Sequence, residues 1–177
     1  AVLARQRGEH LVANEVAAHR AELVEQALAV YPPGTASIIC SDGRDPEPVR
    51  QHGPFARIMV DAPCSGLGAL RRRPEARWRR TPADLAELVS LQRALLETAI
   101  GLLVPGGVVA YVTCSPHADE TVAIVEAALR SNPHLELLDA AALLPEVPGA
   151  ARGGHVQLWP HRHGTDAMFL ALLRGTS

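Results

Sequence analysis

Two short apolar runs, each stopped at a cysteine, constrain this chain more than any other feature. Ile58-Met59-Val60 leads into Asp61-Ala62-Pro63-Cys64-Ser65-Gly66. Further on, Val108-Val109-Ala110-Tyr111-Val112-Thr113 leads into Cys114-Ser115-Pro116. Apolar runs this short, ended by proline or glycine, read as buried strands that leave a sheet through a turn. In an open α/β sheet, loops at the carboxyl ends of the strands hold polar groups on a rigid support, and ligands collect there. The carboxylate of Asp61 and the thiols of Cys64 and Cys114 are therefore the constellation that the rest of the chain must place.

The elements on either side favour such a sheet. Leu11 to Asn14 reads as a strand. Val16 to Val30 carries an apolar stripe at helical spacing and stops at Pro32-Pro33-Gly34, and Ala36 to Cys40 is a second strand. Thr81-Pro82-Ala83-Asp84 is a helix start with a capping threonine and proline at the first position. That helix runs to Leu103, and Pro105-Gly106-Gly107 closes it. A helix from about Asp119 to Leu129 follows the second cysteine, and strands are expected at Leu135 to Leu138 and Ala167 to Leu173. Residues 139–165, rich in proline, glycine and histidine, read as loop. Strands alternating with helices predict a parallel α/β sheet, and the last two strands, with no clear helix between them, should pair antiparallel at one edge.

The 177 residues, 47% of them hydrophobic, suffice for one core, so residues 1–177 read as a single domain. Seventeen basic against nineteen acidic residues give no global nucleic-acid signature. Three cysteines fit neither a disulfide framework nor a paired metal pattern, and reduced cytoplasmic thiols are the simplest reading. Cys40 reads as a core residue. His155, His161 and His163 lack an acid or cysteine at ligand spacing, so no metal is expected. No apolar run has the length of a membrane span.

Acids recur at the strand ends. In doubly wound sheets an acid at the end of the second strand commonly takes the ribose of a nucleoside, a role open to Glu15 if one strand precedes it; Asp42, one strand on, would then meet the adenine end. Each could equally cap a helix or sit in a solvated turn. Asp119 and Glu120 read as acids in the first turn of a helix, favoured by its dipole. Arg71, Arg72, Arg73, Arg77, Arg79 and Arg80, with Glu75 as the one acid between them and Trp78 in their midst, form a local basic patch suited to phosphates and a stacked base.

Three stretches carry a family likeness: Asp-Ala-Pro-Cys-Ser-Gly at 61–66, Arg-Arg-x-Pro-x-x-x-Trp at 71–78 and Thr-Cys-Ser-Pro at 113–116. The chain resembles the RNA (cytosine-5) methyltransferases, and within them the bacterial Sun/Fmu-type 16S ribosomal RNA enzymes. The likeness extends from Val12-Ala13-Asn14-Glu15 through Asp42-Gly43-Arg44 to Gly164-Thr165-Asp166-Ala167-Met168-Phe169. It implies a Rossmann-like α/β sheet, S-adenosylmethionine as methyl donor, ribosomal RNA as partner, and covalent catalysis. A thiolate that adds to carbon 6 of cytosine makes carbon 5 nucleophilic enough to take the methyl group.

By this resemblance Cys114 is the nucleophile, Cys64 assists product release, and Asp61 shares a proton with ring nitrogen 3. Cys64 as nucleophile, as in the DNA enzymes, is the competing assignment. The resemblance also implies a glycine-rich cofactor loop of the Ala-Pro-Gly-Gly-Lys-Thr kind, which does not occur in the sequence. Residues 1–8 resemble the helix that follows that loop. The chain is thus expected to be an N-terminally incomplete catalytic domain, without the first strand, and to bind the cofactor weakly alone. A truncated, inactive RNA-binding or protein-interaction module is the alternative. A thiol hydrolase, less favoured, would need His117 beside a cysteine.

Overall fold

The computed structural model describes residues 10–176. The expected helix remnant at residues 1–8 lies outside them. Strand β1 (Leu11–Asn14), helix α1 (Ala18–Leu28) and strand β2 (Ala36–Ile39) form one unit, in which β1 and β2 pair in parallel with Leu11 opposite Ala36. After a single-turn helix α2 (Glu47–Arg50) comes β3 (Phe55–Asp61), followed by the short helix α3 (Ala76–Arg79) and the long helix α4 (Pro82–Gly101). Then follow β4 (Leu103–Thr113), α5 (Val122–Ser131), β5 (Leu135–Leu138), the hairpin β6 (Ala151–Arg152) and β7 (His155–Gln157), α6 (Pro160–His163) and β8 (Phe169–Gly175).

The main sheet runs β3-β4-β8-β7-β6, with β5 also on β8. β3 and β4 are parallel, whereas β8 is antiparallel to β4, β5 and β7. The architecture is the expected Rossmann-like α/β sheet with an antiparallel C-terminal part. Among the described residues β1 and β3 do not pair, so the two sheets are separate in hydrogen bonding.

The core follows from aliphatic strands covered by amphipathic helices. Val109, Tyr111, Phe169, Ala171 and Leu173 on the sheet meet Leu96, Ala99 and Ile100 of α4 and Ile124, Val125 and Ala128 of α5. The rings of Tyr111 and Phe169 meet edge to face, their centroids 6.3 Å apart, the arrangement their quadrupoles favour.

Several expectations change. Helix α4 ends at Gly101 and β4 already starts at Leu103, so Pro105-Gly106-Gly107, read as the stop of the helix, lie within the strand. Ile58-Met59-Val60 reads as a buried run, yet β3 is an edge strand with Met59 exposed, because nothing described lies beyond it. Cys40, read as core, is exposed: it follows the last residue of a two-stranded sheet, and its Sγ reaches only Val16 O. Residues 139–165 are ordered as the β6–β7 hairpin and α6 over a second small core of Ala140, Ala150 and Val156. His163 holds that segment by accepting from Trp159 N (2.9 Å) and reaching Pro148 O (3.2 Å). Finally, α5 starts at Val122, and Ala118–Glu120 form a separate 3-10 turn.

Helix α4 starts where its sequence says it should. Thr81 Oγ1 accepts from Asp84 N (3.2 Å), Thr81 N donates to Asp84 Oδ2 (2.8 Å), and Pro82 occupies the first turn. These reciprocal bonds satisfy donors that a helix start leaves open. Thr81→Ala is expected to lower stability by about 1 kcal/mol; an unchanged midpoint in urea unfolding would show that the box contributes nothing.

Candidate active site

Parallel pairing of β3 with β4 brings the two cysteines together. The register sets Ile58 against Val109 and Asp61 against Val112, and Ala62 N extends the ladder to Val112 O (2.9 Å). Parallel strands end on the same side, so the loops after Asp61 and Thr113 leave the sheet side by side. Cys64 Sγ and Cys114 Sγ are 3.2 Å apart and half-buried.

This contact polarises the pair. One thiol donates to the other, and the acceptor's anionic form is favoured. Cys114 is pulled down to about 7 by the hydrogen bond from Cys64, against burial and the Asp61 charge, which push it up. Cys64 is pushed up by that same bond, by burial and by the neighbouring anion. The nucleophilic form of a cysteine is its thiolate, and this contact favours that form on one member of the pair.

The serines that follow the cysteines share one buried carboxylate. Glu120 Oε1 accepts from Ser65 N (2.7 Å) and Gln92 Nε2 (3.0 Å), and Oε2 accepts from Ser65 Oγ (2.5 Å) and Ser115 Oγ (2.6 Å). Glu120, read with Asp119 as an acid of a helix's first turn, lies in the 3-10 turn before α5 and is wholly buried, whereas Asp119 is exposed beside His117. Gln92, on α4, also donates to Pro63 O (2.9 Å). His117 Nδ1 accepts from Asp119 N (3.3 Å), and among the described residues it bonds to neither sulfur, so the hydrolase arrangement is not built.

Behind the cysteines three backbones converge on Gly68. Its N–H donates to Cys114 O (2.9 Å) and its carbonyl accepts from Ala167 N (2.9 Å). A Cβ there would lie 2.2 Å from Ala167 O and 2.6 Å from Cys114 O, so only glycine fits. The same C-terminal segment supplies Asp166, whose side chain is 8% exposed and takes Arg71 Nε at 2.7 Å and Arg72 Nε at 2.8 Å. These two arginines hold the carboxyl of Asp166 below the usual carboxylate range.

The other arginines of the patch behave differently. Arg73, Arg77 and Arg79 have no carboxylate partner among the described residues, and Arg80 Nε lies 3.4 Å from Ser65 O. Trp78 is 78% exposed, with the Arg77 guanidinium 4.3 Å over its ring.

Glu15 and Asp42 follow neighbouring strands, β1 and β2. Glu15 Oε1 accepts from Ala17 N (3.0 Å) and pairs with Arg20 (2.7 Å), and no bond reaches its second oxygen among the described residues. Asp42 is forked by Arg44, whose hydrogen bonds hold it down at about 2. Its loop rests on α4, where Thr98 Oγ1 donates to Arg44 O (3.1 Å). No group of three metal-ligating side chains occurs among the described residues. None of the helices described is long and apolar enough to cross a membrane.

Solved structures with this fold include PH0851, with a TM-score of 0.80 and 28% identity over 93% of the chain and 36% of that protein. NSun6 from Pyrococcus horikoshii, solved with SFG, has a TM-score of 0.75 at 23% identity over 95% of the chain and 42% of its own. These likenesses define the fold class of the domain. Residues 1–174 match the model of the 16S rRNA methyltransferase RsmB/F family, and the chain belongs to that family.

It is 54% identical over 175 residues to Rv1407 of Mycobacterium tuberculosis, whose name provisionally assigns it as a methyltransferase. It is 34% identical over 172 residues to the ribosomal RNA small subunit methyltransferase B of Pasteurella multocida. These alignments cover 97% and 93% of the chain but only 36% and 37% of the relatives, so the chain spans about a third of their length.

The thiol geometry gives a direct test. Cys64→Ala removes the S–H that stabilises the Cys114 thiolate, so the midpoint for iodoacetamide alkylation of Cys114 should rise from near 7 towards the ordinary thiol range. A midpoint unmoved by the substitution would show that the contact does not set the reactivity of Cys114.

Proposed function

We propose that this chain is part of the catalytic domain of an S-adenosylmethionine-dependent RNA methyltransferase that modifies carbon 5 of a cytosine, with 16S ribosomal RNA as substrate. The observation that carries the reading is the 3.2 Å contact between Cys64 and Cys114, with Cys114 favoured as thiolate. Family membership supports the substrate class.

The residues divide the chemistry as follows. The Cys114 thiolate forms a bond to carbon 6 while the 5,6 double bond shifts its electrons towards carbon 5, and Asp61 shares a proton with ring nitrogen 3 to offset the charge that develops there. S-adenosylmethionine, when bound, supplies a methyl group on a sulfonium, which leaves as a neutral thioether once carbon 5 has taken the methyl. The adduct must then lose the carbon-5 proton and expel Cys114. Cys64 suits this second step. While Cys114 is an anion, Cys64 keeps its proton; once Cys114 is bound to carbon, that anion and the hydrogen bond to it are gone, and the Cys64 thiol gives up its proton to solvent more readily. The Cys64 thiolate then takes the carbon-5 proton, and the electrons of that C–H bond re-form the 5,6 double bond and expel Cys114 as a thiolate.

Glu15 keeps one carboxylate oxygen for a ribose hydroxyl, which fits the cofactor role, whereas Asp42 would have to release Arg44 to take part. Arg73, Arg77, Arg79 and Trp78 form the outward RNA surface, with Trp78 offering a face to a base. Arg71 and Arg72, half exposed, contribute charge while anchored to Asp166. The target base would have to be unstacked to reach the cysteines.

Two experiments on the full-length protein check this. RNA carrying 5-fluorocytosine should form a covalent adduct that Cys114→Ser abolishes; an adduct lost in Cys64→Ser and kept in Cys114→Ser would reverse the roles, and none in the wild type would refute the mechanism. Trp78→Ala should weaken RNA binding by about 1–3 kcal/mol in a filter-binding titration, the usual worth of one stacked base. Unchanged affinity would remove Trp78 from the RNA surface.

A further inference from the structure

A carboxylate with no access to water and no cation beside it is an expensive group to keep. Glu120 is one: it is wholly buried, and among the described residues no arginine or histidine lies within ion-pair distance. It is satisfied instead by four donors shared between its two oxygens, and its own carbonyl accepts from Tyr111 OH at 2.8 Å in the core. The donors are not scattered. Three belong to Ser65 and Ser115, each joined by one peptide bond to a cysteine of the reacting pair, and the fourth belongs to Gln92 of α4.

Gln92 is oriented by the same demand. Its amide nitrogen serves Pro63 O and Glu120, and its own buried oxygen has no partner among the described residues. The two serine hydroxyls lie 3.4 Å apart across the carboxylate.

From this arrangement we propose that Glu120 is the positioning residue of the site: its carboxylate ties the peptide after Cys64 to the peptide after Cys114 and so holds the two sulfurs at bonding distance. It touches no reacting atom and acts through Ser65 and Ser115. The two oxygens of a carboxylate can accept from all four converging groups. Glutamine keeps the shape but turns an NH2 group towards donors, and aspartate is one methylene too short to span both serines. The proposal deepens the cytosine reading, in which the sulfur pair is the reactive centre, but its test needs neither RNA nor cofactor.

The test is the pH profile of iodoacetamide alkylation of Cys114 in the full-length protein, followed peptide by peptide by mass spectrometry, alongside circular dichroism and thermal unfolding. The other charged groups near Cys114, namely Asp61, Asp166 and Arg72, are the same in wild type and variant, and loss of the Glu120 charge would by itself lower the Cys114 midpoint, so a rise reports loss of the sulfur contact. In Glu120→Gln the Cys114 midpoint should rise by one pH unit or more, a tenfold or greater loss of rate near pH 6, with the fold retained. A folded Glu120→Gln whose midpoint equals that of the wild type overturns the proposal, even if its melting temperature falls, since that would be a purely structural role. Should Glu120→Gln fail to fold, Ser115→Ala decides: it removes one of the four donors to Glu120, along with the acceptor for His117 N, and it must move the midpoint upwards or the proposal falls. Failure of the cytosine reading would appear separately, as a wild type that forms no adduct with 5-fluorocytosine RNA.

Discussion

A single buried carboxylate is the constraint on which the site depends. Removing a carboxylate from water costs several kcal/mol unless its lone pairs are met by good donors. Glu120 meets four, and they come from three separate parts of the chain: the loop after β3, the loop after β4 and the middle of α4. None of these parts can shift without breaking a bond to a buried charge. The two cysteine loops, which parallel strand pairing brings only to the same end of the sheet, are thereby held in one fixed relation.

Helix α4 carries that rigidity outward. Gln92 joins it to Pro63 and Glu120, and Thr98 bonds to Arg44 O in the loop that bears Asp42, so one helix touches the surroundings of both candidate sites. The close approach at Gly68 adds the chain's C-terminal segment to the assembly, since Cys114, Gly68 and Ala167 are consecutive links in one hydrogen-bonded chain of backbone. Asp166, next to Ala167, then draws Arg71 and Arg72 inward. The arginine-rich stretch is divided by this ion pair. Its first two members are anchored to a buried acid, while Arg77 and Trp78 stack on each other at the surface.

Much of the fold was legible because the local signals were strong. The strands at Leu11–Asn14 and Leu135–Leu138 fall where short apolar runs between breakers put them, and the threonine-proline start of α4 is a chemical signal that needs no tertiary context. The pairing of Cys64 with Cys114 was legible through strand-end logic together with family likeness. Other features left no local mark. Cys40 has the same apolar neighbours as a core cysteine and is exposed only because its strand ends a two-stranded sheet. Ile58-Met59-Val60 looks buried from its composition, but exposure depends on which strand lies beside it.

By itself the sequence determined the strands β1, β2, β5 and β8, the start of α4 and the strand-end position of both cysteines, since each rests on periodicity or on residues adjacent in the chain. Only the tertiary structure decided that Glu120 is buried, that Ser65 and Ser115 share it, and that Arg71 and Arg72 belong to Asp166 rather than to solvent. The reason is physical. A carboxylate in the first turn of a helix and a carboxylate buried among four donors have the same local sequence, and what separates them is which distant segments arrive with hydrogens to give.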